Sequence, residues 1–192
     1  MLDSFVLLAP LVLLPVVALL SFSGCFIKPD PPMAATVLFR INCGGPAVMD
    51  AGLEWAADTI GQGGITGVNT LGSPVKVALG STEDAGLEYE TWRQGASFTY
   101  QFANIAQGDY TVVLKFAVIQ DDVNFKGKFR VTLDGGSPRD VEPDSSVFGV
   151  GIKFDQIEVV QVSAAGTLTI SFLGGSAVSG TFALINAIEI RA

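Results

Sequence analysis

The sequence of 192 residues contains no histidine, only two cysteines and few charged residues, which make up 16% of the chain. Without histidine, the chain can build neither a serine–histidine–aspartate triad nor a zinc site with imidazole ligands. It also has no nucleophile elbow and no phosphate-binding loop, and no feature identifies a carboxylate pair for glycoside hydrolysis. These absences predict a domain that is not an enzyme and that carries no cofactor.

Basic residues are scarce as well, with 11 lysines and arginines against 19 aspartates and glutamates and a formal net charge of −8. No basic stripe is present, so no nucleic-acid partner is expected. The acidic residues are scattered, which indicates a solvated surface. Acidic clusters at 121–124 and 140–144 could offer oxygen ligands to calcium, but neither has a recognised loop spacing. We therefore predict solvated loops there and no metal site.

The two cysteines are too few for a disulfide scaffold. Cys25 lies at the end of the first hydrophobic run, and Cys43 opens the domain that follows, so we do not expect them to pair. Cys43 is predicted to be a small buried hydrophobic residue.

The one long hydrophobic run lies at residues 5–27 and contains no charge. As a helix it would reach roughly 35 Å at about 1.5 Å per residue, which spans a hydrocarbon core of about 30 Å. Pro10 and Pro15 would kink this helix, but membrane helices tolerate proline where nearby groups satisfy the freed carbonyls. We therefore predict that residues 1–27 form a transmembrane anchor.

Two export signals compete with the anchor. A cleaved secretory signal has a positive N-terminal region and a shorter apolar core, whereas this run is long and follows Met-Leu-Asp. A bacterial lipoprotein signal is the closer alternative, because residues 21–25, SFSGC, resemble a lipobox with lipidation at Cys25. Phe22 departs from that pattern, and no lysine or arginine precedes the core. An uncleaved anchor explains the run best.

Residues 28–35 form a proline-rich spacer between the anchor and the domain. The first five, KPDPP, favour stiff polyproline II at ~3 Å per residue and would hold the domain within roughly 15 Å of the membrane surface. The flanking positive charges are too few to indicate orientation. Residues 36–192 suffice for one domain with a real core and are too few for two.

Beyond the spacer, strand patterns alternate with glycine-rich turns, and the chain has 22 glycines. Val37, Phe39 and Ile41 alternate with other residues until Gly-Gly-Pro at 44–46 stops the strand. Residues 61–73, with five glycines, are expected to form a long irregular loop. Further strands are predicted at 75–79, 97–102, 110–119, 128–133, 152–162, 167–172 and 181–190.

No convincing amphipathic helix follows the anchor, and this pattern is typical of two antiparallel sheets packed face to face. We predict an all-β fold, a jelly-roll-type antiparallel β-sandwich preceded by one N-terminal transmembrane helix.

Several stretches, taken in order, resemble a malectin or malectin-like domain. FRINCGG at 39–45, then DAGLEW at 50–55 and Asp58, is similar to its opening. The middle of the family pattern is matched by YETWR at 89–93, FTYQF at 98–102 and GDYTVVLKFA at 108–117. Its last strand is matched by ALINAIEI at 183–190. The resemblance covers nearly all of residues 36–191. It implies a jelly-roll β-sandwich that is extracytoplasmic and non-catalytic, and the best-known members bind glucose-containing disaccharides.

The resemblance also implies a sugar site made by several aromatic residues and an aspartate on loops at one edge. Tyr89 matches one of those aromatics, but Gln120 and Asp121 stand where an aromatic pair is expected. The loop 61–73 lacks the expected tyrosine, and 174–180 lacks the expected aspartate. Most of the disaccharide site is missing, so the resemblance carries over the fold but not the ligand.

Candidate site residues therefore form either a docking interface or the remnant of a sugar edge. The same residue types also fill and cap sandwich cores, so Trp92 could instead cap the sandwich while Tyr89 and Arg93 lie on a strand surface. The full candidate set lies on two of the diverged loops and comprises Tyr89, Trp92, Arg93, Gln120, Asp121, Asn124 and Phe125.

Two functional classes follow. The first is a non-catalytic, membrane-anchored interaction module that docks as a structural or accessory subunit on a membrane protein complex, its partners being the membrane and other membrane-protein subunits. The alternative is a membrane-tethered carbohydrate-binding module with altered specificity, whose partner is a glycan. In both, the domain 36–192 lies on the extracytoplasmic side, in a periplasm or at a cell surface.

Retention of the anchor is directly testable. Because the run matches export signals poorly, protein purified from membranes should keep residues 1–27, and its intact mass should equal that of the full chain. Intact-protein mass spectrometry makes this measurement. A mature chain that begins at an acylated Cys25 would contradict the anchor and assign the protein to the lipoproteins.

Overall fold

The computed structural model describes residues 35–69, 71–78, 80–119, 128–142, 150–175 and 182–192. Contacts divide the chain into the units Met1–Met33 and Ala34–Ala192, and the described residues all lie in the second. Within that described part, no helix is long and apolar enough to cross a membrane. The predicted anchor at 1–27, Cys25 and most of the spacer lie outside the described residues.

The first sheet, sheet one, contains six strands that come from the N-terminal, central and C-terminal parts of the domain. Their bounds are β1 Val37–Asn42, β2 Val48–Asp50, β3 Leu53–Ala57, β6 Gly108–Ala117, β9 Lys153–Val162 and β12 Ala187–Arg191. The spatial order is β2-β3-β1-β12-β6-β9. All neighbours are antiparallel except β1 and β3, which run parallel.

The second sheet, sheet two, is built around a strand of 15 residues. Its members are β4 Gly61–Val68, β5 Thr91–Ile105, β7 Phe129–Leu133, β8 Arg139–Val141, β10 Gly166–Leu173 and β11 Ala183–Ile185. The order is β11-β5-β10-β7-β8, and β4 also pairs with β5. Every described pair in this sheet is antiparallel.

One apolar core joins the two sheets face to face. Period-two alternation turns the aromatic side chains of β5 inward, where Phe98 stacks on Phe172 of β10 with ring centroids 4.6 Å apart. Sheet one contributes alternate residues of β6 and β12, including Leu114 and Ile188, which face each other across the ladder. The expectation of an all-β fold with two antiparallel-rich sheets is confirmed, and Cys43 is buried in this core as predicted.

The glycine-rich stretch 61–73 differs from its prediction, because its first part is strand β4 and not an irregular loop. Pairing with β5 creates this strand, and the register shifts between Gly63 and Ile65. Gly63 and Gly64 have positive φ angles of 81° and 68°, which only glycine adopts readily. A Cβ on Gly67 would overlap the indole ring of Trp92. These glycines let β4 lie close against β5.

Two other predicted strands also differ. Residues 75–79 were expected to form a strand, but within the described part Lys76 makes only isolated bridges, to Asp84 and Ile152. That region belongs to a segment folded over a second, smaller core of Val75, Tyr89, Trp92, Ala117 and Ile119. The predicted strand 181–190 is divided in two, with β11 in sheet two and β12 in sheet one.

Asn186 lies at the point where the chain passes from β11 to β12 and is fully buried. Its Nδ2 donates hydrogen bonds to the carbonyl oxygens of Tyr89, at 3.1 Å, and Thr91, at 2.8 Å. Its Oδ1 accepts a bond of 2.6 Å from the backbone N–H of Ala117. Its own carbonyl accepts a bond of 2.8 Å from the N–H of Cys43. One residue thereby joins the crossing to three other segments.

Replacing Asn186 with alanine should destabilise the domain strongly. The change leaves two carbonyls and one N–H buried without partners, at about 1 kcal/mol or more each, so we expect a loss of about 3 kcal/mol. The corresponding fall in the midpoint of thermal unfolding is roughly 6–12 °C. Gln161→Ala removes an amide from an exposed position of β9 and serves as the control. Equal midpoints for the two variants would contradict this role of Asn186.

Candidate functional site

Arg93, a candidate for the binding edge, is part of a buried network centred on Asp58. Its Nε lies 2.8 Å from Asp58 Oδ2, and the two side chains are only 11% and 2% exposed. Asp58 Oδ2 also accepts hydrogen bonds from the N–H of Gly44, at 2.6 Å, and from the hydroxyl of Tyr100, at 2.8 Å. Asp58 Oδ1 accepts one from the N–H of Gly61 at 3.1 Å. This carboxylate therefore holds together the turn after β1, the start of β4 and strand β5.

The electrostatics of this network favour a permanently charged Arg93. Burial alone would lower the pKa of the guanidinium, but the hydrogen bond to Asp58 and the neighbouring charges outweigh it and raise the pKa. Burial is the main reason why the pKa of Tyr100 is raised well above its ordinary value, so its hydroxyl remains a donor. Arg93 Nη1 is also 2.6 Å from the carbonyl of Gly63. Nε and Nη1 of Arg93 thus both donate to partners inside the domain.

Tyr89, which matches a sugar-binding aromatic of the family, is fully buried. Its hydroxyl donates a hydrogen bond to Asp155 of β9 and lies 3.2 Å from the ammonium of Lys115. Burial, followed by the hydrogen bond to Asp155, raises the pKa of Tyr89 above its ordinary value. The ring packs in the smaller core beside Ala117, so its face is not open to a sugar.

A group of charged and aromatic side chains surrounds Tyr89 on sheet one. Lys115 Nζ lies 5.1 Å from the centre of the Tyr89 ring and 5.4 Å from that of Trp55, within the range of cation–π attraction. Its ammonium also lies 3.4 Å from Asp155 and 3.6 Å from Glu88. Trp55, Glu88 and Asp155 are not among the predicted site residues, because they come from three separate segments.

Trp92 is 7% exposed and lies in the smaller core with Tyr89 and Val75. The structure thus brings Tyr89 and Trp92 together and directs Arg93 into the neighbouring Asp58 network. Gln120, Asp121, Asn124 and Phe125 lie outside the described residues, as do 176–180 of the loop 174–180. Of the two acidic clusters, 121–124 lies outside entirely, and 140–144 is described only as far as residue 142. Among the described residues, no group of three or more cysteine, aspartate or glutamate side chains is placed to hold a metal ion.

Comparison with protein families identifies the class to which this domain belongs. The family model for the Malectin domain matches residues 37–137, more than half of the chain. The chain therefore belongs to the malectin domain family, as its sequence motifs predict. Comparison with curated proteins returns no match.

Solved structures share this fold. The crystal structure of the plant receptor-like kinase FER superposes with a TM-score of 0.67 at 20% identity, over 81% of this chain and 49% of that chain. The ANX2 ectodomain from Arabidopsis thaliana gives 0.65 at 16% identity, over 81% and 49%. The structure of the plant peptide RALF23 in complex with FER and LLG2 gives 0.67 at 21% identity, over 81% and 48%. The chain spans about half the length of each, and these low identities show the fold alone.

Removing the guanidinium of Arg93 tests whether it supports the fold. Arg93→Ala leaves the buried Asp58 carboxylate without its charge partner, so we expect a loss of about 3 kcal/mol or more in the free energy of unfolding. Arg130→Ala, at an exposed position of β7, is the matched control and should change stability by less than about 0.5 kcal/mol. Chemical denaturation measures both. If Arg93→Ala is as stable as the control, the side chain is free to serve as an interface anchor.

Proposed function

We propose that this malectin domain is a non-catalytic interaction module that docks as a structural or accessory subunit on a membrane protein complex. The observation that carries the proposal is the burial of Tyr89, the residue that matches a sugar-stacking aromatic, and the use of its hydroxyl in an internal hydrogen bond to Asp155. A buried ring offers no face to a sugar. The domain then shares its fold with the sugar-binding members but does not share their open aromatic site.

Membrane attachment is the second part of this proposal. The hydrophobic run at 5–27 anchors the chain, and the spacer at 28–35 keeps the jelly-roll sandwich close to an extracytoplasmic membrane surface. Tethering in one bilayer raises the local concentration of domain and partner, so a modest contact surface is enough for stable assembly. An extracytoplasmic position agrees with the solved structures of similar fold, one of which is an ectodomain.

Protein partners are favoured over sugars by what the similar structures contain. The structure with RALF23 and LLG2 holds FER in a complex with a peptide and a protein. For this chain we propose only the same general use of the fold, which is to bind polypeptides. The identity of the partner complex is left to experiment.

A glycan-binding module is the second candidate, because sheet two has a shallow depression of about 520 Å³ on its outer face. Gln62, Thr99, Thr132 and Ser171, which lie side by side on four neighbouring strands, line it with amide and hydroxyl groups. Such groups can pair with sugar hydroxyls that lose water. No exposed aromatic ring accompanies them in the described lining, which places this candidate second.

Purification of the full chain from its native membranes distinguishes the two candidates. An accessory subunit should co-purify with the same membrane proteins in a fixed stoichiometry through two different chromatographic separations, as measured by quantitative mass spectrometry. Recovery of the chain alone, without stoichiometric partners, would contradict the subunit role.

Calorimetry with maltose tests the glycan-binding candidate directly. Each lost stacking contact between an aromatic and a sugar ring removes on the order of 1 kcal/mol, so binding should be undetectable at millimolar sugar. Binding in the micromolar range would instead support the carbohydrate module.

A further inference from the structure

An acidic cleft of about 680 Å³ lies between the turn that joins β2 to β3 and the segment 83–90. This size lies within the range of small-ligand sites. Four carboxylates line it, together with small and apolar residues. The carboxylate residues are Asp50, Glu83, Asp84 and Glu90.

Only two of these four carboxylates are neutralised or held by neighbours. Asp84 pairs with Lys76, and Glu90 accepts hydrogen bonds from Asn69 and from the N–H of Val75, the latter at 2.9 Å. Within the described residues, the carboxylates of Asp50 and Glu83 form no hydrogen bond or ion pair. The cleft therefore keeps an excess of negative charge and unused acceptors.

Glu88 adds a buried acceptor behind the wall of the cleft. Its side chain is 6% exposed, and its Oε1 lies 3.6 Å from the ammonium of Lys115. Its Oε2 is buried and accepts no hydrogen bond from the described residues. Buried polar atoms almost always have a partner, so an unpaired carboxylate oxygen requires an explanation. Burial raises the pKa of Glu88, and Lys115 offsets this only in part.

The unpaired oxygen lies behind Gly86, which lines the cleft. A Cβ added to Gly86 would lie 2.9 Å from Asp50 Oδ2 and closer still to Glu88 Oε2. Two carboxylate oxygens from different segments thus approach the same point of the cleft wall. Any side chain at position 86 would occupy that point, and the φ angle of 124° also favours glycine.

The chemistry of this arrangement selects a cation that carries N–H donors. A bare metal ion needs several converging ligands, and no such group of three exists within the described residues. An ammonium or guanidinium group needs only acceptors and negative charge, and charge-assisted hydrogen bonds are the stronger kind. Leu87, on the rim, is 50% exposed, and Ala51, Pro74 and Ala85 also line the cleft. Apolar side chains around an acidic centre suit a polypeptide better than a free small cation.

We propose that this cleft binds a lysine or arginine side chain of a partner polypeptide, with Asp50 as its acceptor, the Glu88 carboxylate behind the wall as a second negative group and Leu87 as an apolar contact. This inference rests on the proposed function as a docking module and names the chemistry of one of its contacts.

Titration of the full-length protein in detergent with hexalysine and hexaarginine peptides tests the proposal. We expect Glu88→Gln and Asp50→Asn each to weaken binding of at least one peptide about tenfold. Asp109→Asn removes the same charge from an exposed position at the start of β6, away from the cleft, and should change affinity less than twofold. Hexalysine acetylated on every side chain should not bind. Thermal unfolding of each variant checks that the fold is retained. If Glu88→Gln does not fold, the result for Asp50→Asn alone decides the test.

Equal weakening by Asp109→Asn would overturn the proposal, because attraction would then be due to net charge and not to the cleft. Failure of both peptides to bind the unmodified protein, or binding unchanged in Glu88→Gln and Asp50→Asn, would overturn it too. If the chain co-purifies with membrane partners but the peptides do not bind, the cleft fails and the docking function stands. Cleft-dependent peptide binding without stoichiometric partners supports the cleft and contradicts the subunit role.

Discussion

The side-chain amide of Asn186 makes the hydrogen bonds on which the arrangement of both sheets depends. It lies at the crossing from β11 to β12 and satisfies two carbonyls at 89 and 91 and the N–H of Ala117. Two buried carbonyls need a hydrogen-bond donor here, and one buried N–H needs an acceptor. A side-chain amide provides both. The start of β5 and the end of β6 are therefore fixed relative to each other, and both face the chain where it changes sheets.

The polar networks next to this crossing explain why residues 89–93 are held inside the domain. Thr91 donates from its hydroxyl to Asn42, at 2.7 Å, and Arg93, two residues along β5, pairs with Asp58. Tyr89 is held by its carbonyl at Asn186 and by its hydroxyl at Asp155. Because Tyr89, Thr91 and Arg93 each have internal partners, exposing the segment 89–93 to a ligand would leave several buried groups unpaired. The ring of Tyr89 is therefore enclosed by packing and by hydrogen bonds.

Much of the fold could be predicted from the sequence, because its signals are local. Apolar residues with period two along β1, β6, β9 and β10 mark side chains that must face a core, whichever strand lies opposite. Motifs such as those at 39–45 and 108–117 identified the malectin family, which the family model confirms. The candidate site was less predictable. Asp58 was part of a motif, but its bond to Arg93 joins residues 35 positions apart, and no local pattern encodes such a pair.

By itself, the sequence determined the all-β class, the family, the absence of histidine chemistry and the acidic balance, since composition and alternation are properties of the chain alone. Only the tertiary structure decided that glycine-rich residues 61–68 form a strand, because pairing with β5 overrides a weak local propensity. Only the tertiary structure buried the side chains of Tyr89, Trp92 and Arg93 in the domain. It also brought Glu88 and Asp50 to one wall of a cleft. Those outcomes depend on contacts between distant segments, whose geometry is fixed when the two sheets pack together.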